Sequence, residues 1–203
     1  MKKFVVSCAL LGALAACQTT NNVVRDTNVN LLSLAKPALA VGDTYAYYRN
    51  GEHEVATVTA VGDGVYSFEV TEGEDAGCTY VGDGFLAPDV KWADCSGSTG
   101  TQTLTHTGDI WPLKIGNIES YGIEGTDGTD SWTQTRDCSV IGTAMVTLGT
   151  STIPTYEVVC KDSSNTRTWF YSQTHKFPVK YTKVHKKRGL VDVRELDLGQ
   201  KAG

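Results

Sequence analysis

The sequence lacks the patterns that usually mark an enzyme or a metal protein. It has no GxSxG motif for a serine nucleophile and no GK[ST] motif for a phosphate-binding loop. No two cysteines stand at CxxC spacing, and none of the four histidines has a neighbour at metal-binding spacing: His53, His106, His175 and His185. We therefore predict a protein that is not an enzyme and that holds no metal and no other cofactor.

Long apolar runs are also missing. Residues 1–16 begin with the basic stretch MKK and continue with a short, mostly apolar segment that ends in small residues. That segment is shorter than the about 20 apolar residues that a membrane-spanning helix needs. The pattern is typical of a secretory signal peptide, and no later segment is a candidate span.

The end of this signal resembles the lipobox of bacterial lipoproteins. Leu14-Ala15-Ala16-Cys17 has an aliphatic residue, two small residues and then the cysteine. The resemblance implies cleavage before Cys17, lipidation of that cysteine and attachment to a membrane by acyl chains such as palmitate. Gln18 stands where Asp favours retention in the inner membrane, so the resemblance implies the outer membrane, with the domain facing the periplasm. The alternative is an ordinary signal cut beside a chance cysteine.

Four cysteines remain after Cys8 and Cys17 are set aside, in a chain sent to an oxidising compartment. Four cysteines allow three pairings. The midpoints between Cys78 and Cys95, and between Cys138 and Cys160, fall on predicted hairpin turns. We therefore predict the disulfides Cys78–Cys95 and Cys138–Cys160.

Positive charge is scarce over most of the chain. Residues 17–160 hold six Lys and Arg against nineteen Asp and Glu, whereas residues 161–203 hold ten against four. This composition predicts no nucleic-acid partner. The basic residues crowd one predicted turn, which carries Lys183, Lys186, Lys187 and Arg188. Either this is a solvated turn, or it contacts an anionic partner such as lipid phosphates or an acidic protein.

Helical periodicity is absent from residue 37 onward. Runs rich in Thr, Val and Tyr alternate with Gly, Asp and Asn, and twelve strands are predicted between residues 44 and 198. We predict an all-β fold in which an antiparallel meander forms a barrel or half-barrel. Residues 17–36 are polar without a clear period and predict a flexible tether, followed by one all-β domain over 37–203.

The domain contains a weak internal echo. LAVGD at 39–43 recurs as LKIGN at 113–117, and PDVKW at 88–92 recurs loosely as PVKY at 178–181. Two related β halves, 37–110 and 111–203, would explain both echoes, and chance is the alternative. The second half, with TWFYS at 168–172 and VKY at 179–181, also resembles a set of uncharacterised all-β bacterial envelope proteins. That resemblance implies an envelope domain and supplies no activity.

These observations predict an outer-membrane lipoprotein whose β domain binds a partner without catalysis. The partner would be an envelope protein, a glycan or a lipid, and a half-barrel that holds an acyl chain is one version. An envelope hydrolase and a purely structural envelope protein are the alternatives. The tryptophans are expected in the core or at a barrel rim rather than in a ligand cage: Trp92, Trp111, Trp132 and Trp169.

Overall fold

The structure is a computed structural model, and it describes residues 22–26, 29–62 and 64–199. The predicted signal peptide, the lipobox and Cys17 lie outside these residues. Within them there are thirteen strands. They are β1 (Val23–Arg25), β2 (Thr44–Arg49), β3 (Glu52–Gly62), β4 (Val65–Glu72), β5 (Thr79–Gly82), β6 (Lys91–Cys95), β7 (Ser98–Gly108), β8 (Ile118–Thr126), β9 (Ser131–Leu148), β10 (Ser151–Lys161), β11 (Asn165–Tyr171), β12 (Pro178–His185) and β13 (Gly189–Leu196). The described part of the chain has no helix that is long and apolar enough to cross a membrane.

Strands β2 to β13 form a closed antiparallel barrel. Each pairs with the next along the chain, and β13 pairs with β2, so that the last strand closes on the first. The prediction of an all-β antiparallel meander is therefore confirmed, in the form of a barrel rather than a half-barrel. Within the barrel wall, closure pairs both sides of every strand and so removes the unpaired edges that make an open sheet prone to aggregate.

Strand alternation decides which side chains enter the barrel. In β9, Trp132, Gln134 and Arg136 are partly or fully buried, whereas the four residues that alternate with them are exposed. The same period holds in β2, where Tyr45, Tyr47 and Arg49 point inward. Successive side chains of a strand point to opposite faces, so these residues line the lumen.

An apolar plug fills one end of the barrel, the end that carries the connections after β5, β7 and β11. The loop residues Leu86, Ile110 and Leu113 have no exposed surface, and they pack in one core cluster with strand residues such as Phe68 and Tyr171. The members of this cluster come from both predicted halves of the domain, 37–110 and 111–203. The two halves thus share one core.

The hairpin of β9 and β10 extends beyond the barrel wall. Its outer part packs in a second apolar cluster with outward-facing residues of β11, β12 and β13: Ala144, Val146, Leu148, Ile153, Phe170 and Val179, with Val23 and Leu196 at the margin. We call this the outer cluster. Because this part of β9 has left β8, one of its edges is free to pair with β1.

The segment 17–36, which the sequence predicts as a flexible tether, contains β1, and β1 is held in the sheet by its pairing with β9. Arg25 donates to both carboxylate oxygens of Glu157, at 2.6 Å from Nη2 and 2.8 Å from Nε. Asn22 donates to the carbonyl of Thr147 at 2.9 Å and to the carboxylate of Glu195 at 2.7 Å. These bonds tie the segment to the barrel wall, although its sequence has no strand-like alternation.

The two pentapeptides of the echo, 39–43 and 113–117, make the same turn. Gly42 N–H donates to the carbonyl of Val58, and Gly116 N–H donates to that of Val140, at 2.9 Å each. Both glycines have a positive φ, near 91° and 93°, which disfavours other residues. The echo is thus a shared local structure, and a duplication of the halves stays a prediction.

Both disulfides of the structure are the pairs that the sequence predicts. Cys138 and Cys160 face each other across β9 and β10, with Cα atoms 3.9 Å apart. Cys78, which directly precedes β5, is bridged to Cys95, the last residue of β6, and their Cα atoms are 4.5 Å apart. Each bridge therefore covalently links two neighbouring strands of one hairpin.

Candidate functional site

A cavity of about 610 Å³ occupies the barrel between the apolar plug and the opposite end. That opposite end, which we call the mouth, carries the hairpin turns that follow the even-numbered strands from β2 to β12. Phe85, Leu86 and Phe177 of the plug line its floor, and Asp75 and Ser96 line it at the mouth. The cavity is thus the part of the lumen that side chains and loops leave empty.

Charged side chains ring the middle of this cavity. Five cations face it or border it: Arg49, Arg136, Arg167, Lys183 and Arg194. They fall into two groups according to whether carboxylates neutralise them. The grouping determines where an anion from solution could bind.

The first group lies where the barrel closes. Arg49 of β2 and Arg194 of β13 stand directly opposite each other in the ladder, an arrangement that repels unless anions intervene. Glu54 bridges them, with its oxygens 3.2 Å from Arg49 Nη1 and 3.8 Å from Arg194 Nη1. Asp192 and Asp75 complete the network. Burial alone would lower the pKa of Arg194, but Asp192 and Glu54 raise it above its ordinary value.

The second group has a surplus of positive charge. Arg167 pairs with Asp162, whose carboxylate also accepts the backbone N–H groups of Ser164 and Asn165. Burial would raise the pKa of Asp162, but these bonds outweigh it and lower the pKa to about 2. Asp162 also acts on Arg136 and Lys183, together with Asp89 for Arg136 and Asp192 for Lys183.

Among these cations, Arg136 has the least compensation of its charge. Its residue keeps 8% of its surface accessible, its Nε has no hydrogen-bond partner, and it forms no ion pair within the described part of the chain. Burial and then the neighbouring Arg167 lower its pKa to about 10, so it is still charged at neutral pH. A buried guanidinium without a partner is costly, and the lining of a cavity is where a ligand could supply one.

Lys183 shares this environment. Burial and the proximity of Arg167 lower its pKa, while Asp192 acts in the opposite direction. Its ladder partners are Arg167 on β11 and Asp192 on β13, so it lies between the two groups of cations. Arg136, Arg167 and Lys183 together form what we call the cation cluster.

One carboxyl group in the cavity has a pKa close to neutral pH. Asp89 lines the cavity with an exposed side chain, and desolvation by the surrounding wall raises its pKa to about 7. Arg194 and Arg136 lower that pKa, and Asp83 raises it. At neutral pH Asp89 is therefore only partly ionised and does not fully neutralise the cation cluster.

Aromatic rings cover the rest of the wall. Tyr47 and Tyr80 line the cavity with pKa values that burial raises above the ordinary range, so both stay neutral. Trp92 and Trp132 stand near the mouth with ring centroids 6.0 Å apart. The expectation that these two tryptophans lie at a barrel rim fits their place, and both also face the cavity.

The other tryptophans belong to the packing around the lumen. Trp111 lies in the plug, 5.7 Å from Phe85 between ring centroids. Trp169 packs against Tyr181 at 5.0 Å. Both therefore serve the core, as the sequence predicts.

The structure divides the basic turn that the sequence singles out. Lys183 points into the cavity as part of the cation cluster, whereas Lys186 donates to the carbonyl of Ser163 at 2.7 Å. Lys187 and Arg188 are exposed at the turn. The turn itself lies at the mouth, so its charges border the entrance to the cavity.

The histidines are separate from one another. His53 lies 3.4 Å from Asp197, and His106 lies 3.2 Å from Glu119. His185 Nδ1 accepts the backbone N–H groups of the basic turn. No group of three or more potential metal ligands occurs among residues 22–26, 29–62 and 64–199. The absence of a metal in the whole protein stays a prediction.

Sequence reasoning missed the lumenal residues other than Lys183. A signal was present: Tyr45, Tyr47 and Arg49 alternate within one strand, as do Trp132, Gln134 and Arg136 in another. Large aromatic and charged residues on the same face of a strand suggest a lined cavity rather than a solvated surface. Which charges meet across the lumen depends on the order of strands around the barrel.

Comparisons with known proteins give little further information. No protein-family model matches the chain, and no curated protein sequence matches it. Among solved structures, it is similar to the hypothetical lipoprotein YmcC from Escherichia coli, with 10% sequence identity and a TM-score of 0.46. The match covers 82% of this chain and 91% of that chain.

Proposed function

We propose that the protein is a lipid-anchored protein of the bacterial outer membrane, and that its barrel lumen binds an anionic ligand without chemical conversion. The lipobox supports the anchor. The single observation that carries the binding function is Arg136, a buried cation that has no ion-pair partner among the residues the structure describes and that lies on the wall of a cavity of about 610 Å³. An anionic group beside Arg136 would offset the cost of burying its charge.

The cavity lining favours a polar ligand over an acyl chain. Charged side chains lie on several strands around its middle, and the apolar surface comes from the floor, from aromatic rings and from small wall residues such as Ala56 and Val70. An acyl chain would leave these charged groups without water and without a new partner, which is unfavourable. The version of the hypothesis in which a lipid carrier holds an acyl chain is therefore the weaker one.

The lumen is tested with naphthalene disulfonate, a permanent anion that fluoresces, on the full chain secreted in lipid-free form by Cys17→Ser. We expect binding to the parent and an affinity loss of about tenfold in Arg136→Gln, because that variant removes the unpaired charge. Lys187→Gln is the matched control, since it removes an exposed charge at the mouth. No binding by the parent, or equal losses in both variants, would contradict the proposal.

The anchor is tested separately by feeding labelled palmitate to a Gram-negative host that expresses the precursor. The parent should incorporate the label and sediment with the outer membrane. Cys17→Ser should do neither. Equal labelling of both proteins would exclude lipidation at this position.

A hydrolase of the envelope is the second candidate, and Asp89 is the observation in its favour. A carboxyl group with a pKa of about 7 inside a cavity is suited to general acid or base catalysis. Incubation of the protein with acidic oligosaccharides or phosphate esters, followed by chromatography, separates the two candidates. Products that form with the parent but not with Asp89→Asn would replace the binding function by hydrolysis.

A further inference from the structure

Two tryptophans lie flat against the wall of the lumen. Trp92 of β6 pairs with Gly100 of β7, and Trp132 of β9 pairs with Gly125 of β8. A Cβ atom added at Gly100 would come within 2.3 Å of the Trp92 ring, and one at Gly125 within 2.5 Å of the Trp132 ring. Each indole therefore covers the backbone of a glycine, and no other residue leaves room for the ring there.

An indole that lies flat on the wall has one face against the backbone and the other toward the lumen. Both rings are only half-buried, and both line the cavity. Packing on glycine explains why the inner face of each ring is covered, but it does not explain why the outer face is left open to the lumen. The outer faces form an aromatic strip near the mouth.

The strip and the cation cluster are connected along one strand. Trp132, Gln134 and Arg136 occupy the same face of β9, and Trp132 and Arg136 are separated by about 13 Å at the usual rise per residue. The amide of Gln134 lies between them, faces the cavity and has no hydrogen-bond partner among the residues that the structure describes. Along this face of β9, the wall thus offers first a flat apolar surface, then a free amide and then a buried cation.

We infer that the ligand of the lumen is an acidic saccharide of more than one ring. This inference rests on the proposed anion-binding function and specifies its ligand. The C–H face of a sugar ring would stack on Trp132, hydroxyl groups would bond to Gln134, and a carboxylate, sulfate or phosphate group would pair with Arg136. A small ringless anion would use only Arg136, and an acyl chain would match neither Gln134 nor the cations.

The inference is tested with five probes on the lipid-free Cys17→Ser protein. These are trigalacturonate, neutral maltotriose, ringless propane disulfonate and dodecyl phosphate, with a sulfated chondroitin tetrasaccharide as a second acidic sugar. Calorimetry and tryptophan emission measure binding. We expect at least one acidic sugar to bind about tenfold more tightly than any of the other three probes, and to shift the emission.

Variants of Trp132 separate stacking from charge. Trp132→Leu should weaken the acidic sugar about tenfold and leave propane disulfonate unchanged, whereas Trp132→Phe should retain most of the affinity. Tyr48→Leu, an exposed aromatic outside the barrel, is the control. If Trp132→Leu fails to fold because Gly125 loses its cover, protection of the parent's tryptophans from N-bromosuccinimide by the bound sugar replaces that measurement.

The outcomes distinguish the two proposals. If propane disulfonate binds as tightly as the sugars, the lumen is an anion site and the saccharide inference is wrong. Tightest binding of dodecyl phosphate would likewise replace it by an amphiphile. If no anionic probe binds, the saccharide inference and the proposed function both fail.

Discussion

Single residues of the lumen determine its charge at a given pH. Arg136 stays protonated at neutral pH, and Asp89 changes its ionisation within the physiological range. The raised pKa of Asp89 means that a proton leaves this carboxyl group as the pH rises through about 7. The new negative charge would then act on Arg136 and Arg194 from inside the same cavity.

Anion binding in the lumen should therefore weaken as the pH rises. We expect the affinity for naphthalene disulfonate, whose own charge is constant, to fall several-fold between about pH 6 and about pH 8. Asp89→Asn should remove this dependence and bind at the higher pH as the parent does at the lower one. Fluorescence titrations across that range measure both. A pH profile that is the same in the parent and in Asp89→Asn would show that another group controls binding.

Individual side chains of the site were only partly predictable. Alternation places Arg49 and Arg136 on lumenal faces, but their different surroundings depend on carboxylates far away in sequence, such as Glu54 and Asp162. The sequence groups Lys183 with a basic turn. Lys183 differs from Lys187 because it lies on the inward face of β12, whereas Lys187 is exposed on the turn. Burial and pairing across the barrel, not local sequence, decide these roles.

At the scale of elements, β9 explains how the wall and the outer hairpin are connected. Its first part, 131–139, pairs with β8 inside the barrel, and its later residues 144–146 pair with β1. The register with β10 shifts between Glu157 and Val158, so that Ile141 has no partner. Such a bulge bends a strand and increases its twist, which lets the end of the hairpin leave the wall.

The β1 segment should be stabilised by its ion pair with β10. Glu157 is only 1% exposed, so Arg25→Ala leaves a buried carboxylate without its charge-assisted hydrogen bonds. We expect a loss of about 1–2 kcal/mol in the free energy of unfolding, which is a decrease of a few degrees in melting temperature. Glu157→Gln in the Arg25→Ala background should recover part of it, because the unpaired charge is gone.

Urea and thermal unfolding of the lipid-free protein measure this effect. Lys187→Ala, which removes an exposed cation at the mouth, is the control and should change stability by less than about 0.5 kcal/mol. If Arg25→Ala is as stable as that control, β1 is not held by the ion pair.

The strands themselves were predictable to a large extent. All twelve segments expected from alternation and from Gly, Asp and Asn turns are strands of the barrel. The sequence pattern does not predict β1, because three residues between Asn- and Thr-rich stretches have no local signal. It forms because the later part of β9 leaves β8 and exposes backbone groups that need partners.

At the scale of the whole molecule, closure is the property that the sequence does not reveal. The meander can be read from neighbouring segments, but the pairing of β13 with β2 joins residues near opposite ends of the chain. Three ladder pairs form this seam: Arg194 with Arg49, Glu195 with Tyr48, and Leu196 with Tyr47. Backbone hydrogen bonds from Asn50 to Val193 and from Asp197 to Ala46 extend it at either end. One of them places two arginines opposite each other, so the seam depends on the carboxylates around it.

The seam should open first when Glu54 is neutralised. Glu54→Gln removes the carboxylate that lies between Arg49 and Arg194, and the two cations then face each other with less compensation. We expect a loss of about 1–3 kcal/mol in stability. Hydrogen exchange should accelerate at the β2 and β13 amides of the seam, while the long β9–β10 ladder, which carries the Cys138–Cys160 bridge, stays protected.

A matched substitution separates the seam from a general effect of charge. Glu69→Gln removes an exposed carboxylate of β4 and should leave both stability and exchange unchanged. Replacing Arg194 by Met in the Glu54→Gln background should slow the exchange at the seam again, because the repulsion between the two arginines is removed together with the charge that had balanced it. Uniform acceleration across all strands in Glu54→Gln would mean that closure has no special dependence on this carboxylate. Acceleration confined to β2 and β13 would instead identify the seam between these two strands as the place where the barrel can open.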